Sequence, residues 1–245
     1  AITKKRLPWE IALKLAKDWA EKHKPDGSTV YTFQEDKRTP LIIIDCPGNI
    51  KGNILMYGHL DKQPEMQGWN DDLGPWKPVI EGDKLYGRGG ADDGYAMFAA
   101  TAVVRSLQDQ NIDHPRIIIL IEFSEESGSP DLPFYMDHCS SLIGEPNLVV
   151  CLDSGAQNYE QFWTTTSLRG LIGCTVRVDV LNEGVHSGSA SGVVPSSFRV
   201  LRQLLSRLED EKTGEIIVDD LTVDIPEGRI EDINKMVDEL AGEFD

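Results

Sequence analysis

The 245-residue chain has room for one large domain, or for one domain and part of a second, and its 40% hydrophobic and 27% charged content is that of an ordinary globular protein. Its 41 acidic and 24 basic residues give a formal charge of −17, a field that repels nucleic acid and anionic membrane surfaces, so neither is an expected partner. No run of 18 apolar residues predicts a spanning helix, and four cysteines without a Cys-x-x-Cys pair (Cys46, Cys139, Cys151, Cys174) predict free, mostly buried thiols in a reducing, cytoplasmic setting.

The first predicted element is an amphipathic helix in which Ala12, Leu15, Ala16 and Trp19 recur at helical spacing between Lys and Glu residues, unlike a secretory signal. Three apolar runs follow, at 54–57, 117–123 and 148–152. Each is apolar almost throughout (Glu122 apart) rather than alternating, the pattern of strands buried on both faces. Between the first two, residues 94–107 have helix length, and Tyr95, Phe98, Ala102 and Val103 can share one face. The alternation predicts an α/β fold, a mixed, largely parallel sheet flanked by helices.

From about Ser167 the texture changes. Residues 171–180 read as a strand with polar alternation (Thr175, Arg177, Asp179), followed by a Gly/Ser-rich loop over 183–192. A helix is expected from about Pro195 to Leu208, with Leu201, Leu204, Leu205 and Leu208 as its stripe, and another amphipathic helix over 229–245. A hinge at 167–170 then divides the chain into residues 1–167, a catalytic domain, and 168–245, the start of a smaller α+β lid domain.

Each of the three apolar runs delivers a metal-competent side chain at its end: Gly58-His59-Leu60-Asp61, Ser124-Glu125-Glu126-Ser127-Gly128 and Cys151-Leu152-Asp153-Ser154-Gly155. In α/β sheets the ligand crevice lies outside such strand ends. A glycine-rich stretch, Gly87-Arg88-Gly89-Gly90-Ala91-Asp92-Asp93-Gly94, leads two more carboxylates into a helix. Taken singly, each has a structural explanation: a hydrogen-bonded histidine, an N-cap, a turn, an Asx-turn. Together, Asp92, Glu125, Glu126 and Asp153 converge with Arg88 as the one cation in these motifs, and like charges so placed require either protons or divalent cations. Imidazole with carboxylates suits zinc, with cobalt or manganese as substitutes. His59 and Asp61, at i and i+2, point the same way in an extended segment, so Asp61 is placed to accept a hydrogen bond from the ring nitrogen turned away from the metal.

These motifs, with Tyr86-Gly87-Arg88-Gly89 and Val185-His186-Ser187-Gly188, occur in the order found in the zinc metallopeptidase family of carnosinase-type dipeptidases, aminoacylases, glutamate carboxypeptidase and succinyl-diaminopimelate desuccinylase, which this chain resembles over roughly residues 50–200. Trp69 and the stretch 82–89 are similar to the dipeptidase branch. The resemblance implies two zinc ions bridged by Asp92, with His59 and Asp153 on one and Glu126 on the other. It implies Glu125 as general base toward an activated water, Asp61 as support for His59, and His186 as an oxyanion donor from the lid, through which the protein dimerises. It also implies a cis peptide between Asp92 and Asp93. The substrate is then a dipeptide or short peptide, or alternatively an N-acyl amino acid, or the chain is a silent relative used for binding.

Two departures stand out. Gly94-Tyr95 replaces the Lys-Gly that follows the paired aspartates in many relatives, and the family's distal histidine and the rest of its catalytic domain are expected beyond Asp245. By itself the chain is expected to hold at most one metal and to lack useful activity. His23 and His114 are expected on the surface, His138 has no ligand spacing, Cys151 is assigned to packing, and Trp69 and Trp76 either line a substrate cleft or pack.

Overall fold

The computed structural model describes residues 9–35, 37–156, 158 and 160–237, and the chain divides into two compact units, 1–156 with 161–164 and 157–160 with 165–245. The first unit carries strands β1 (Thr29–Phe33), β2 (Leu41–Cys46), β3 (Asn53–His59), β4 (Val79–Glu81), β5 (Lys84–Tyr86), β6 (Arg116–Glu122) and β7 (Leu148–Cys151). Its helices are α1 (Trp9–His23), α2 (Ala96–Asp109), α3 (Leu132–His138) and α4 (Ser140–Ile143). β4 and β5 form a separate hairpin, and the other five strands make one mixed sheet in the order β1-β2-β6-β3-β7. β3 runs parallel to both β6 and β7, while β2 is antiparallel to β6 and to β1.

Successive side chains of a strand point to opposite faces, and each face of this sheet has its own core. Ile42, Ile44, Ile117, Ile119 and Ile121 pack against Ala16 and Ala20 of α1 and against Met97, Ala100 and Val104 of α2. Leu41, Ile43, Leu55, Ile118 and Leu120 meet Tyr135, Cys139 and Ile143 of α3 and α4. β6 is apolar at almost every position because both of its faces are buried.

Several expectations change. β7 is the last strand of the sheet rather than an interior one, and its Leu148 and Val149 are exposed. β1 and β2 lie outside the three expected runs, although Leu41 to Ile44 are as buried as any residues in the protein. Their apolar run is short and passes at once into Asp45, which is used structurally: Arg116 donates Nε and Nη2 to its two carboxylate oxygens at 2.8 Å each. α2 turns a different face inward: Ala96, Met97, Ala100, Thr101 and Val104 are buried, whereas Phe98 and Val103 are exposed. This helix is apolar nearly all round, and its alanines permit the closer approach to the sheet; Phe98 instead meets Trp19 edge-on at 4.4 Å. In α1 the expected Leu15 likewise faces out, and Ala20 takes the inner position. Cys151 and Cys174 are exposed, so only Cys46 and Cys139 fit the expectation of buried thiols.

The second unit contains α5 (Ser187–Ala190), α6 (Ser197–Leu205) and α7 (Glu227–Val237). Ser196 caps α6 by accepting a hydrogen bond from the Arg199 N–H at 3.4 Å. Residues 171–180 form no strand. An alternating pattern needs a partner ladder and a layer to cover its apolar face; here Leu171 and Ile172 are 90% and 77% exposed. The helix expected over 229–245 begins at Glu227, and residues 238–245 lie outside the described residues. Among the described residues, no helix is long and apolar enough to cross a membrane.

The orientation of α2 is directly testable. Met97→Ala should lower stability by about 2–5 kcal/mol, the cost of a core cavity, while Val103→Ala should stay within about 0.5 kcal/mol. Urea unfolding of both variants reads the difference, and equal losses would mean that α2 is rotated from the orientation described.

Candidate metal centre

Parallel pairing brings the ends of β6, β3 and β7 to one edge of the sheet. The ladder continues past them, with Leu60 N–H donating to the Glu122 carbonyl and Leu152 N–H to the Tyr57 carbonyl, both at 2.9 Å. His59 ends β3, Glu125 and Glu126 lie in the 3₁₀ turn Glu125–Ser127, and Asp153 follows β7. The glycine loop supplies Asp92. His59 Nε2 lies 3.2 Å from Asp92 Oδ1, 3.6 Å from Asp153 Oδ2 and 3.8 Å from Glu125 Oε2. Two overlapping ligand sets result: His59, Glu125 and Asp153, and His59, Asp92 and Glu126, the donor atoms of each lying within 4.8 Å of one another. His186 belongs to the second unit, where it precedes α5 and its Nδ1 accepts from the Gly188 N–H at 3.1 Å.

The residues fit a divalent cation. The His59 ring is wholly buried, and its Nε2 makes no hydrogen bond even though Asp92 is near. A buried polar atom left without a partner costs about 1–3 kcal/mol. Nδ1 faces the Asp61 carbonyl at 3.1 Å and the Asp61 carboxylate at 3.4 Å, so the proton belongs on Nδ1 and the Nε2 lone pair is aimed at carboxylates. That arrangement is repulsive until something positive stands between them. Without a metal, burial presses the His59 pKa down, but the hydrogen bond and charge of Asp61 and the charge of Asp153 overcome it and raise it to about 9.

Asp61 does more than orient the ring. Its two carboxylate oxygens accept from the Glu125 and Glu126 N–H groups at 3.1 and 2.9 Å, so it pins the turn that carries both glutamates. Burial would raise its pKa, but these bonds and His59 hold it below the ordinary range. Gln63, not singled out from the sequence, donates its backbone N–H to Glu126 Oε1 at 3.1 Å and its amide to Oε2. Glu122, also unforeseen, braces the turn from behind: its buried carboxylate accepts from Tyr57 Oη at 2.6 Å, Ser129 Oγ at 2.8 Å and Ser124 Oγ at 3.1 Å. The signal was a lone carboxylate closing an apolar run. Glu125 itself is shifted upward, by burial first and by Asp153, Glu126 and Asp61 against the opposing pull of His59, which favours a proton acceptor.

The Asp92-Asp93 peptide is cis. Asp93 is buried, and its Oδ2 accepts from the His59 backbone N–H at 2.9 Å. That approach requires Gly58, where an added Cβ would fall 2.6 Å from Asp93 Oδ2 and 2.3 Å from Ala96 Cβ. Gly94 N–H donates to the Gly89 carbonyl at 2.8 Å, closing the loop. The one expected cation, Arg88, instead donates to the Pro64 carbonyl at 3.1 Å. Lys62, overlooked in the sequence although it follows Asp61, donates Nζ to the Asp61 carbonyl at 3.0 Å, and burial lowers its pKa against the opposing charges of Asp93, Asp61, Asp92 and Glu126.

The remaining candidates stay structural. His114 is buried rather than on the surface, its Nδ1 paired with the Pro115 carbonyl at 2.8 Å. His23 stacks on Trp19, and His138 stacks on Phe134. The Trp69 and Trp76 indole N–H groups both donate to Glu65, the first to its carbonyl and the second to its carboxylate.

Asp93 makes a pH prediction. Burial is the main cause that raises its pKa from 3.8 to about 6, opposed by the backbone bond and charge of His59. A folded pKa above the unfolded one means that the ionised form is disfavoured in the fold, so this group's contribution is lost as pH rises from about 3.8 to about 6. In metal-free protein, Asp93→Asn should flatten the decline of urea-unfolding stability across that window; an unchanged slope would contradict the assignment.

The profile of peptidase family M20/M25/M40 matches residues 55–194. Beta-Ala-His dipeptidase of Rattus norvegicus is 28% identical over 207 residues, covering 82% of this chain and 40% of that protein. Cys-Gly metallodipeptidase DUG1 of Saccharomyces cerevisiae is 30% identical over 181 residues, covering 69% of this chain and 36% of that protein. Among solved structures, the M20 family metallo-carboxypeptidase Sso-CP2 from Sulfolobus solfataricus shares the fold with a TM-score of 0.70 at 22% identity, over 96% of this chain and 54% of its own. Human carnosine dipeptidase 1 does so with a TM-score of 0.56 at 24% identity, over 93% and 51%. The chain thus spans less than half the length of these two curated relatives. With the match covering more than half of its residues, and the strand-end site lying inside that match, the chain belongs to peptidase family M20/M25/M40.

Proposed function

We propose that the whole protein hydrolyses the peptide bond of dipeptides or short peptides with the help of two divalent ions, zinc foremost and cobalt or manganese as substitutes. The observation that carries this is the buried, unpartnered His59 Nε2 aimed into carboxylates on three separate chain segments. Asp92 would serve both ions, with His59 and Asp153 completing one set and Glu126 the other. Relatives named as Beta-Ala-His and Cys-Gly dipeptidases support the dipeptide class over N-acyl amino acids, and the retained Glu125 argues against a silent relative.

Bound there, the metal pair supplies Lewis acidity, making water acidic enough to ionise near neutral pH and polarising the scissile carbonyl. Glu125 would take the proton of the attacking water and return it to the leaving amine. Asp61 keeps Glu125 in place through the backbone rather than by touching substrate. The oxyanion role stays with His186, supported by the Val185-His186-Ser187-Gly188 motif inside the family match. Residues 1–167 are proposed as the catalytic domain and 168–245 as the start of the lid through which a homodimer forms, in the cytoplasm. Sedimentation of the full-length protein as a monomer would reject the dimer, and fractionation of cells would locate it.

Glu125→Gln should lower turnover about 10²–10⁴-fold while metal content stays at the wild-type level, and Asp92→Ala should lose metal. Elemental analysis beside dipeptide hydrolysis by the full-length protein checks both. Substantial turnover in Glu125→Gln would remove the base assignment, and wild-type protein devoid of metal would remove the mechanism.

A further inference from the structure

Glu122 is a buried carboxylate that the proposed reaction leaves without a role, and it stands where two strands and the glutamate turn meet. It closes β6 opposite His59, the last residue of β3, and its backbone carbonyl accepts from the Leu60 N–H at 2.9 Å. The residue is 2% exposed. Ser124 Oγ donates to its Oε2 at 3.1 Å and Ser129 Oγ to its Oε1 at 2.8 Å, while Tyr57 Oη of β3 donates to Oε1 at 2.6 Å. Three hydroxyls donating into one buried carboxylate make a rigid junction, because breaking any one leaves a polar atom unpaired away from water.

Two of those hydroxyls flank the 3₁₀ turn that carries Glu125 and Glu126. Their residues are also joined to each other, Ser129 N–H donating to the Ser124 carbonyl at 2.9 Å. Residues 124–129 thus form a closed loop with both of its ends hydrogen-bonded to one carboxylate. Ser129 stands at φ +50°, a left-handed conformation that a residue other than glycine keeps only where its surroundings hold it. The same turn presents the Glu125 and Glu126 N–H groups to Asp61. Two carboxylates therefore fasten the turn, and neither belongs to a ligand set. We propose that Glu122 is a positioning residue of the metal centre: by holding the Ser124 and Ser129 hydroxyls it fixes the turn on which Glu125 and Glu126 stand, and so sets metal affinity and turnover without touching metal or substrate. The inference rests on the dinuclear reading above.

The test is Glu122→Gln in the full-length protein, a near-isosteric change that turns one acceptor oxygen into a donor. Metal-free protein titrated with Zn²⁺ alone against a chromophoric chelator should bind the ion about tenfold more weakly than wild type, the scale usual for a lost partner behind a metal ligand. At saturating Zn²⁺, kcat for a dipeptide should fall with KM little changed. Asp45→Asn is the stability control, since it breaks the pair with Arg116 at the opposite end of β6. It should lower the urea midpoint and leave Zn²⁺ affinity and kcat at wild type. Ser124→Ala and Ser129→Ala keep the carboxylate; each should reproduce part of the Glu122→Gln loss and combine with it less than additively. Should Glu122→Gln fail to fold, the two serine variants decide the matter. The proposal is overturned by a folded Glu122→Gln with wild-type Zn²⁺ affinity and kcat, by a loss that neither serine variant shares, or by an equal loss in Asp45→Asn. A wild-type protein that binds no Zn²⁺ defeats the dinuclear reading itself, an outcome distinct from wild type binding two ions that Glu122→Gln binds equally well.

Discussion

The structure turns on the crowding of negative charge at the ends of three parallel strands. Asp92, Glu125, Glu126 and Asp153 are gathered within reach of one buried imidazole, and Asp61 and Asp93 stand directly behind them. Carboxylates so gathered repel one another unless something positive is shared between them. Without a metal, and against burial, the charges of Asp61 and Asp153 push His59 up to about 9, while burial foremost lifts Asp93 to about 6.

The second answer is backbone and amide hydrogen bonding, which stabilises carboxylates without bringing in more mobile charges. Asp61 is satisfied by two N–H groups of the turn, Glu126 by Gln63, and Glu122 by three hydroxyls. Each of these bonds also ties one segment of the site to another. β3 is central because both of its neighbours run parallel to it, so His59 leaves the sheet between the Glu125 turn and Asp153. Gly58 lets Asp93 come in against that strand, which connects the sheet to the start of α2. Fold and site therefore share contacts, and loosening one disturbs the other.

What the sequence disclosed follows from the same physics. Apolar runs ending in His59, Glu125-Glu126 and Asp153 were legible because a parallel strand delivers its C-terminal residues to a common edge, whatever the details of packing. The face of α2 was not legible, because a helix with apolar residues on all sides leaves the choice to close packing of alanines against the sheet. β2 escaped notice although its run Leu41 to Ile44 is as long as 54–57: its next residue is charged, and the partner of that charge, Arg116, is far away in sequence. Lys62 was next to Asp61 all along. Its direction, though, depends on the path of the Gly89 loop, which no local pattern encodes. The strand expected at 171–180 shows the opposite failure: alternation is a local property, but a strand exists only with a neighbour.

The adjacent pair Glu125-Glu126 shows how such contacts assign roles. In sequence the two are the same residue twice, and in the 3₁₀ turn both backbone N–H groups end on the same Asp61 carboxylate. Their side chains part company there. Both oxygens of Glu126 are occupied by Gln63, which fixes the carboxylate and suits it to a stationary ligand. Glu125 turns toward His59 Nε2 at 3.8 Å, and burial with three neighbouring carboxylates raises its pKa. The two neighbours thus differ in what surrounds them: Gln63 holds Glu126 at both oxygens, whereas Glu125 is left facing the buried imidazole.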